Sequence, residues 1–157
     1  MARGFDIRCS IIVFHKQAVL LVHRTRDGLD DWVLPGGTPR EGESLTAWAR
    51  RELLEETGVV ADPSRVALVV ETVPPGSGRR LLDIVFLATE PVLGREHCRE
   101  PGLEPHFVPP GQVTRLDLHP SLAGRLDRLL DPGLRGYAPY VGSSWRQPTV
   151  PGPGLGT

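Results

Sequence analysis

Three glutamates lie close together in this 157-residue chain at a spacing that suits metal chemistry. Glu52, Glu55 and Glu56 are related as i, i+3 and i+4, so on a helix their carboxylates share one face. Like charges at this spacing destabilise an isolated helix by about 0.2–0.5 kcal/mol per pair, so the cluster needs a compensating partner. Mg²⁺ binds a few carboxylate oxygens and leaves positions open for substrate phosphates. The cluster therefore predicts a divalent cation site.

A tight turn and one helix must position these glutamates. Residues 35–37 (Pro-Gly-Gly) cannot continue regular structure. Ser44 is a suitable N-cap, so we predict a helix over residues 45–57. Gly58 fits the position just past the helix end, where the left-handed conformation is common. The carboxylates are therefore expected on a capped helix that follows the turn.

Alternating and apolar stretches predict the sheet that supports this helix. We predict strands over residues 6–14, 18–23, 65–73 and 81–89, with 32–34 as a shorter apolar segment. Residues 91–105 are typical of a loop, 106–108 and 113–118 are expected to be short extended pieces, and 121–130 a final amphipathic helix. Strands and helices interleave without strict βαβ alternation, which is compatible with a mixed sheet covered on both faces.

Nine positions around the glutamates resemble the signature of the Nudix hydrolases. The pattern is glycine, five residues, glutamate, seven residues, and then Arg-Glu-apolar-x-Glu-Glu-x-Gly-apolar. The chain carries it as Gly37, Glu43, Arg51, Glu52, Leu53, Glu55, Glu56, Gly58 and Val59. The resemblance covers roughly residues 5–130 and implies the Nudix fold, an α/β/α sandwich with a mixed β-sheet.

The resemblance also implies a chemistry. In Nudix hydrolases the helix glutamates hold Mg²⁺, and Mn²⁺ is an alternative. The ion bridges a diphosphate while water attacks one phosphorus. The implied metal ligands are Glu52, Glu55, Glu56 and the carbonyl oxygen of Gly37. Such cations neutralise the diphosphate and lower the pKa of bound water. Arg51 lies four residues before Glu55 and is expected to orient the carboxylates.

The general base of this family lies either inside the signature or on a distant loop. Glu104 precedes Phe107-Val108-Pro109, a stretch similar to one in which relatives supply an additional acid. We therefore favour Glu104 as a catalytic residue. The alternatives outside the signature are Glu96, Glu100, His97 and His106.

Residues near the turn are candidates for binding substrate. Arg24 and Arg26 follow the second predicted strand, and guanidinium groups suit phosphate recognition. Trp32 just precedes the turn, where it either packs the loop or stacks on a base. Pro74 and Pro75 follow Val59 by 15 and 16 residues, offsets associated with ADP-ribose hydrolases, although a hairpin turn explains these prolines equally.

Trp48 departs from the family pattern, which usually has alanine at this position. It lies four residues before Glu52 and seven before Glu55, so it points to the same side of the helix. Trp48 either packs under the glycine turn or lines the site. Because tryptophan is much larger than alanine, the neighbouring residues must differ from the usual ones.

Composition and charge limit the classes of function. The chain is long enough for one domain with a single core, and 18 basic against 19 acidic residues create no field that attracts nucleic acid or an anionic membrane. Cys9 and Cys98 are far apart, which argues against a zinc site and a disulfide framework. No long apolar run follows the N-terminal charges, so we expect neither a signal peptide nor a membrane span, and a cytoplasmic location.

The C-terminal region differs from the rest of the chain. We predict a Nudix hydrolase domain over residues 1–131, and an extended arm with a disordered tail over 132–157. Tyr137, Tyr140 and Trp145 in the arm are residues enriched at interfaces. A homodimer and packing on the same subunit are both compatible with this pattern.

The resulting prediction is a Mg²⁺-dependent hydrolase that cleaves the diphosphate linkage of a nucleoside diphosphate derivative. ADP-ribose or a nucleotide sugar is the favoured substrate. A nucleoside triphosphate pyrophosphohydrolase is the alternative, and a non-catalytic nucleotide sensor is a third interpretation. The expected partner is a small nucleotide, with neither a nucleic acid polymer nor a membrane.

Overall fold

The computed structural model describes residues 4–93, 100–129 and 139–143, which form two five-stranded sheets and three helices. The first sheet contains, in spatial order, β10 (Tyr140–Ser143), β6 (Pro63–Thr72), β7 (Arg80–Ala88), β1 (Phe5–Ile12) and β5 (Gly36–Gly37). The second contains β2 (Phe14–His15), β3 (Ala18–Arg24), β4 (Asp31–Val33) and β9 (Leu118–His119), with β8 (Leu103–Val108) paired to β3. The helices are α1 (Leu45–Thr57), α2 (Pro110–Val113) and α3 (Ala123–Leu129).

Both sheets are mixed, as predicted. Strand β1 runs parallel to β7, which is antiparallel to β6, and β4 runs parallel to β9 while β3 is antiparallel to β8. On one side, α1 contributes Trp48, Ala49 and Leu53 to an apolar cluster that includes residues of β1 and β7. On the other side, Leu126 of α3 packs in a second cluster with residues of both sheets. The predicted α/β/α sandwich is confirmed.

Helix α1 has the predicted boundaries because Ser44 and Gly58 cap it as predicted. The Ser44 hydroxyl accepts a hydrogen bond from the Ala47 N–H at 3.2 Å. Gly58 is left-handed, with a φ of 73°, and its N–H donates to the Leu54 carbonyl at 2.9 Å. A glycine adopts this conformation without the steric cost of a Cβ. The helix therefore begins directly after the glycine turn, which puts its glutamates next to that turn.

The predicted strands are confirmed to within a few residues, but the prediction for the segment after β8 was wrong. Residues 113–118 were expected to be extended, whereas α2 occupies residues 110–113 and a turn follows it. Pro110 at the first helical position explains the difference, because its fixed φ suits a helix start and its missing N–H is not needed there. Strand β8 also begins at Leu103, inside the predicted loop of residues 91–105.

The described part of the C-terminal arm is a strand on its own subunit. Residues 140–143 form β10, which pairs in parallel with β6, and the Tyr140 hydroxyl donates to Glu71 at 2.6 Å. Tyr137 and Trp145 lie outside the described residues, as do Glu96, His97 and Cys98. The domain boundary at residue 131 stays a prediction. Among the described helices, we find none with the length and apolar character needed to cross a membrane.

Candidate active site

A cleft with a volume of about 300 Å³ opens where α1 and the glycine turn meet the two sheets. Its lining combines carboxylates, arginines and an apolar wall. The lining residues are Arg8, Val22, Arg24, Arg26, Val33, Gly36, Gly37, Thr38, Trp48, Glu52, Glu56, Glu100 and Leu103. Two of the three glutamates that carried the sequence prediction therefore face the same space as both predicted arginines.

The glycine turn is packed too closely for side chains. An ideal Cβ on Gly36 would lie 2.1 Å from the Cys9 carbonyl oxygen of β1, and Gly36 has a φ of 155°. An ideal Cβ on Gly37 would lie 3.2 Å from Cζ2 of Trp48 and 3.5 Å from a carboxylate oxygen of Glu52. The turn thus brings backbone groups against the helix face that carries the carboxylates, which a bulkier residue would prevent.

Glu56 is the carboxylate most affected by its surroundings. One of its oxygens accepts a hydrogen bond from the Gly36 N–H at 3.1 Å. Burial raises the pKa of Glu56 to about 7; this hydrogen bond and the charge of Arg8 oppose the shift, and Glu52 and Glu100 add to it. Burial likewise raises the pKa of Glu52. Two adjacent carboxylates that are costly to ionise in the metal-free protein are suited to a cation.

Arg51 joins three carboxylates of the signature. Its guanidinium donates two hydrogen bonds to Glu43, at 2.8 and 3.0 Å, one to Glu52 at 3.2 Å and one to Glu55 at 2.9 Å. The hydrogen bonds from Arg51 lower the pKa of Glu43, and the contacts with Glu43 and Glu55 raise the pKa of Arg51. This geometry is what an orienting role for Arg51 requires.

Glu55 is not among the residues that line the cleft. Its side chain is 44% exposed and contacts Arg51. Accordingly, the described residues contain no group of three His, Cys, Asp or Glu side chains arranged to hold a metal ion. Mg²⁺ is commonly held by one or two carboxylates, with water and substrate phosphates completing its octahedral shell. Glu52 and Glu56, next to the backbone of Gly37, fit that requirement.

The two predicted arginines line the cleft, and each is paired with an acid. Arg24 makes a bidentate contact with the fully buried Asp31, at 2.8 and 2.7 Å. Arg26 donates to Glu100 at 2.9 Å. A bidentate pair on a buried carboxylate fixes the position of the Arg24 guanidinium. The pair between Arg26 and Glu100 is exposed, so Arg26 can exchange Glu100 for another anionic partner at little cost.

Trp32 and Glu104 are not brought into the cleft lining. Trp32 stacks on His23, with ring centroids 4.7 Å apart, and also contacts His106. Glu104 lies opposite His23 in the β3–β8 pairing, and its side chain is 69% exposed and 3.7 Å from His106. The loop-packing alternative for Trp32 matches these contacts, and the roles given to both residues stay predictions.

Arg8 was missed by the sequence reasoning although it lines the cleft. Its guanidinium donates to Ser10 and to the Leu34 carbonyl, both at 3.2 Å, and lies 3.5 Å from the buried Asp83. Asp6, Arg8 and Ser10 are polar residues that alternate with less polar ones in β1, and Asp83 interrupts the apolar sequence of β7. Polar residues alternating within a core strand were the signal that could have found this network.

Stability of the metal-free protein is expected to fall as pH rises, because of Glu56. Its pKa is about 7 in the folded protein against 4.5 for a glutamate in water, so the proton is bound more tightly in the folded state. The associated stability is fully present below pH 4.5 and is lost as pH rises through about 7, by at most about 3 kcal/mol. Urea unfolding in EDTA at pH 5, 6, 7 and 8 measures this fall.

Glu56→Gln is the comparison for that measurement. The glutamine cannot ionise, so the variant should lose about 1–3 kcal/mol less than the original protein between pH 5 and pH 8. Equal losses in the two proteins would contradict the raised pKa of Glu56.

A family model and a curated relative match this chain. The family model described as NUDIX domain matches residues 5–129. A curated relative, the 8-oxo-dGDP phosphatase NUDT18 of Danio rerio, is 34% identical over 82 residues, covering 52% of this chain and 24% of the relative. The chain thus spans about a quarter of that relative's length.

Solved structures share the fold. The MutT protein from Methanosarcina mazei Go1 superimposes with a TM-score of 0.69 at 23% identity, covering 82% of this chain and 97% of that structure. The mMutator MutT protein from Bacillus halodurans gives a TM-score of 0.66 at 25% identity, covering 80% and 82%.

Proposed function

The chain belongs to the Nudix family, and on that premise we propose that it is a divalent-metal-dependent hydrolase that cleaves the diphosphate linkage of a nucleoside diphosphate derivative. The observation that carries the proposal is the pair of carboxylates, Glu52 and Glu56, that line one cleft with the glycine turn and three arginines. The carboxylates supply a cation site, and the arginines supply positive charge for phosphate oxygens.

We assign the cation to the part of the cleft that Glu52 and Glu56 line. Glu52 and Glu56 would hold Mg²⁺ or Mn²⁺, with the Gly37 carbonyl and Glu55 as the further predicted ligands. When bound, the ion neutralises diphosphate charge and lowers the pKa of a bound water. Arg51 keeps the carboxylates in place through its hydrogen bonds to Glu52 and Glu55. These residues therefore act by binding and orienting rather than by forming a covalent intermediate.

The proton acceptor for the attacking water is a choice between two glutamates. Glu104 is the residue predicted from the sequence, and its exposed position on β8 would require the substrate or a neighbouring segment to approach it. Glu100 lines the cleft and pairs with Arg26, so it is the nearer candidate. Both stay proposals, and separate glutamine variants distinguish them by which one lowers kcat.

The apolar part of the cleft lining suits a nucleoside. Val22, Val33 and Leu103 form a small buried cluster that also lines the cleft. An apolar wall favours a base or sugar face, and Arg24 beside it favours a phosphate or ribose oxygen. We therefore propose that the nucleoside lies against this wall while its diphosphate reaches Glu52 and Glu56.

Two substrate classes compete within this proposal. ADP-ribose or a nucleotide sugar is favoured by the offsets of Pro74 and Pro75, yet these prolines belong to the turn between β6 and β7 and are not among the residues that line the cleft. A nucleoside di- or triphosphate is the alternative, and the name of the Danio rerio relative, an 8-oxo-dGDP phosphatase, favours a nucleoside diphosphate.

A substrate panel tests the proposal and separates the classes. The panel contains ADP-ribose, a UDP-sugar, a nucleoside triphosphate and an 8-oxo-nucleoside diphosphate, each with Mg²⁺, Mn²⁺ or EDTA. We expect release of a nucleoside monophosphate from at least one compound, about a hundredfold or more faster with metal than in EDTA. Chromatographic product analysis identifies the bond that is cleaved.

Two outcomes would count against hydrolysis. Folded protein that leaves every compound intact would contradict it. Tight nucleotide binding without turnover would instead support the interpretation as a sensor.

A further inference from the structure

Trp48 occupies the position in α1 where the family usually has alanine, and it is almost completely buried. Trp48 is 4% exposed, yet it is one of the residues that line the cleft. Its indole Nε1 is buried and has no hydrogen-bond partner. An unmade donor is unfavourable, so the contacts of the indole ring must offset that cost.

The face of the indole is occupied by Arg51. The guanidinium carbon of Arg51 lies 4.4 Å from the ring centroid, within the range of a cation–π contact, and Arg40 lies further away at 5.9 Å. The edges of the same guanidinium donate to Glu43, Glu52 and Glu55. Arg51 is therefore held by its face as well as its edges, and only the second set of contacts is part of the family signature.

The edge of the indole contacts the glycine turn. The ideal Cβ position of Gly37 is 3.2 Å from Cζ2 of Trp48 and 3.5 Å from Glu52. Trp48 thus lies between Arg51 and Gly37, and each of these also contacts Glu52. Because Arg51 covers one face of a ring that is otherwise packed in the core, that face is not open for stacking on a base.

We propose that Trp48 is a positioning residue for the cation site, which acts by holding Arg51 and the Gly37 turn against Glu52. The inference rests on the proposed function, since it concerns the same carboxylates. It resolves the alternatives for Trp48 by combining them, because the indole lines the cleft and also packs beneath the turn. Outer contacts of this kind commonly change metal affinity or activity by about 10–100-fold when removed.

The primary test compares Trp48→Leu with Trp48→Phe. Trp48→Leu is expected to weaken Mn²⁺ binding to the substrate-free protein about tenfold by calorimetry, and to lower kcat about 10–100-fold with a smaller change in KM. Trp48→Phe keeps an aromatic face for Arg51 and should recover most of both losses. Adding Trp48→Leu to Arg51→Lys should cause little further loss, because both changes act on the same contact.

Phe86→Leu is the matched control. Phe86 belongs to the same apolar cluster as Trp48 but is not among the cleft residues. It should lower the Tm while leaving Mn²⁺ affinity and kcat within about twofold. Loss of Mn²⁺ affinity in Phe86→Leu equal to that in Trp48→Leu would overturn the proposal, as would unchanged affinity in Trp48→Leu.

The Mn²⁺ titration also separates this inference from the proposed function. It needs no turnover, so it remains decisive if no compound in the substrate panel is hydrolysed. If Trp48→Leu does not fold, Trp48→Phe alone still decides. Since Phe lacks the indole N–H and part of the ring area, a loss of Mn²⁺ affinity larger than the twofold limit set for Phe86→Leu but below about tenfold supports the proposal, and an affinity within twofold or a loss of more than tenfold contradicts it.

Discussion

Replacing Glu56 with glutamine is expected to lower kcat about a thousandfold, equivalent to about 4 kcal/mol of transition-state stabilisation. Glutamine has nearly the same shape and still offers an oxygen to the Gly36 N–H, so the fold should persist. Glutamine carries no negative charge to attract a cation. The position is buried, which raises the pKa of Glu56, so little solvent is available there to take the place of the lost cation. Steady-state kinetics on the substrate identified by the panel measures the loss.

Two further glutamines act as controls for this prediction. Glu41 is exposed in the loop before α1, so Glu41→Gln should change kcat by less than about twofold. Glu55 contacts Arg51 outside the cleft lining, so Glu55→Gln should cause an intermediate loss of about 10–100-fold. A Glu56→Gln variant with kcat within tenfold of the original would remove Glu56 from the metal role. A loss at Glu55 as large as that at Glu56 would instead indicate that Glu55 turns into the site when metal binds.

The part of the site that was predictable is the part encoded by local spacing. Helix α1 could be delimited from Ser44 and Gly58, because capping depends on residues within one turn of the helix end. The shared face of Glu52 and Glu56 follows from helical geometry in the same way. Strands β3, β6 and β7 were also found from their apolar pattern, because period and composition are local properties.

The part that escaped prediction depends on contacts between distant segments. Arg8 lies at the cleft because β1 pairs with β5 and β7. The residues next to Arg8 in the chain do not predict which strands β1 pairs with. Trp32 is near the turn in sequence, but its contacts are with His23 across β3 and β4 and with His106 on β8. Proximity along the chain was therefore a poor guide to which side chains line the cleft.

Gly36 shows how such distant contacts constrain a single residue, and Gly36→Ala is expected to be the most destabilising substitution at the site. The new Cβ would lie 2.1 Å from the Cys9 carbonyl oxygen and 2.7 Å from Ser10 Cα, both in the backbone of a central strand. Backbone atoms paired on both sides cannot move aside as a flexible side chain can. We expect a loss of about 4 kcal/mol or more in the free energy of unfolding, or no folded protein.

Two other glycines calibrate this result, because the space around each one differs. An alanine at Gly37 meets Cζ2 of Trp48 at 3.2 Å, so the Gly37→Ala variant should fold with a loss of about 1–2 kcal/mol, and it should bind Mn²⁺ more weakly as the indole shifts. Gly124 lies in α3 with nothing within 4 Å of its ideal Cβ, so Gly124→Ala should stabilise the protein by up to about 1 kcal/mol. Urea unfolding should therefore rank Gly36→Ala below Gly37→Ala and Gly124→Ala. A Gly36→Ala variant as stable as Gly37→Ala would mean that the turn is not held against β1, and the hydrogen bond from Gly36 to Glu56 could then not set the position of that carboxylate.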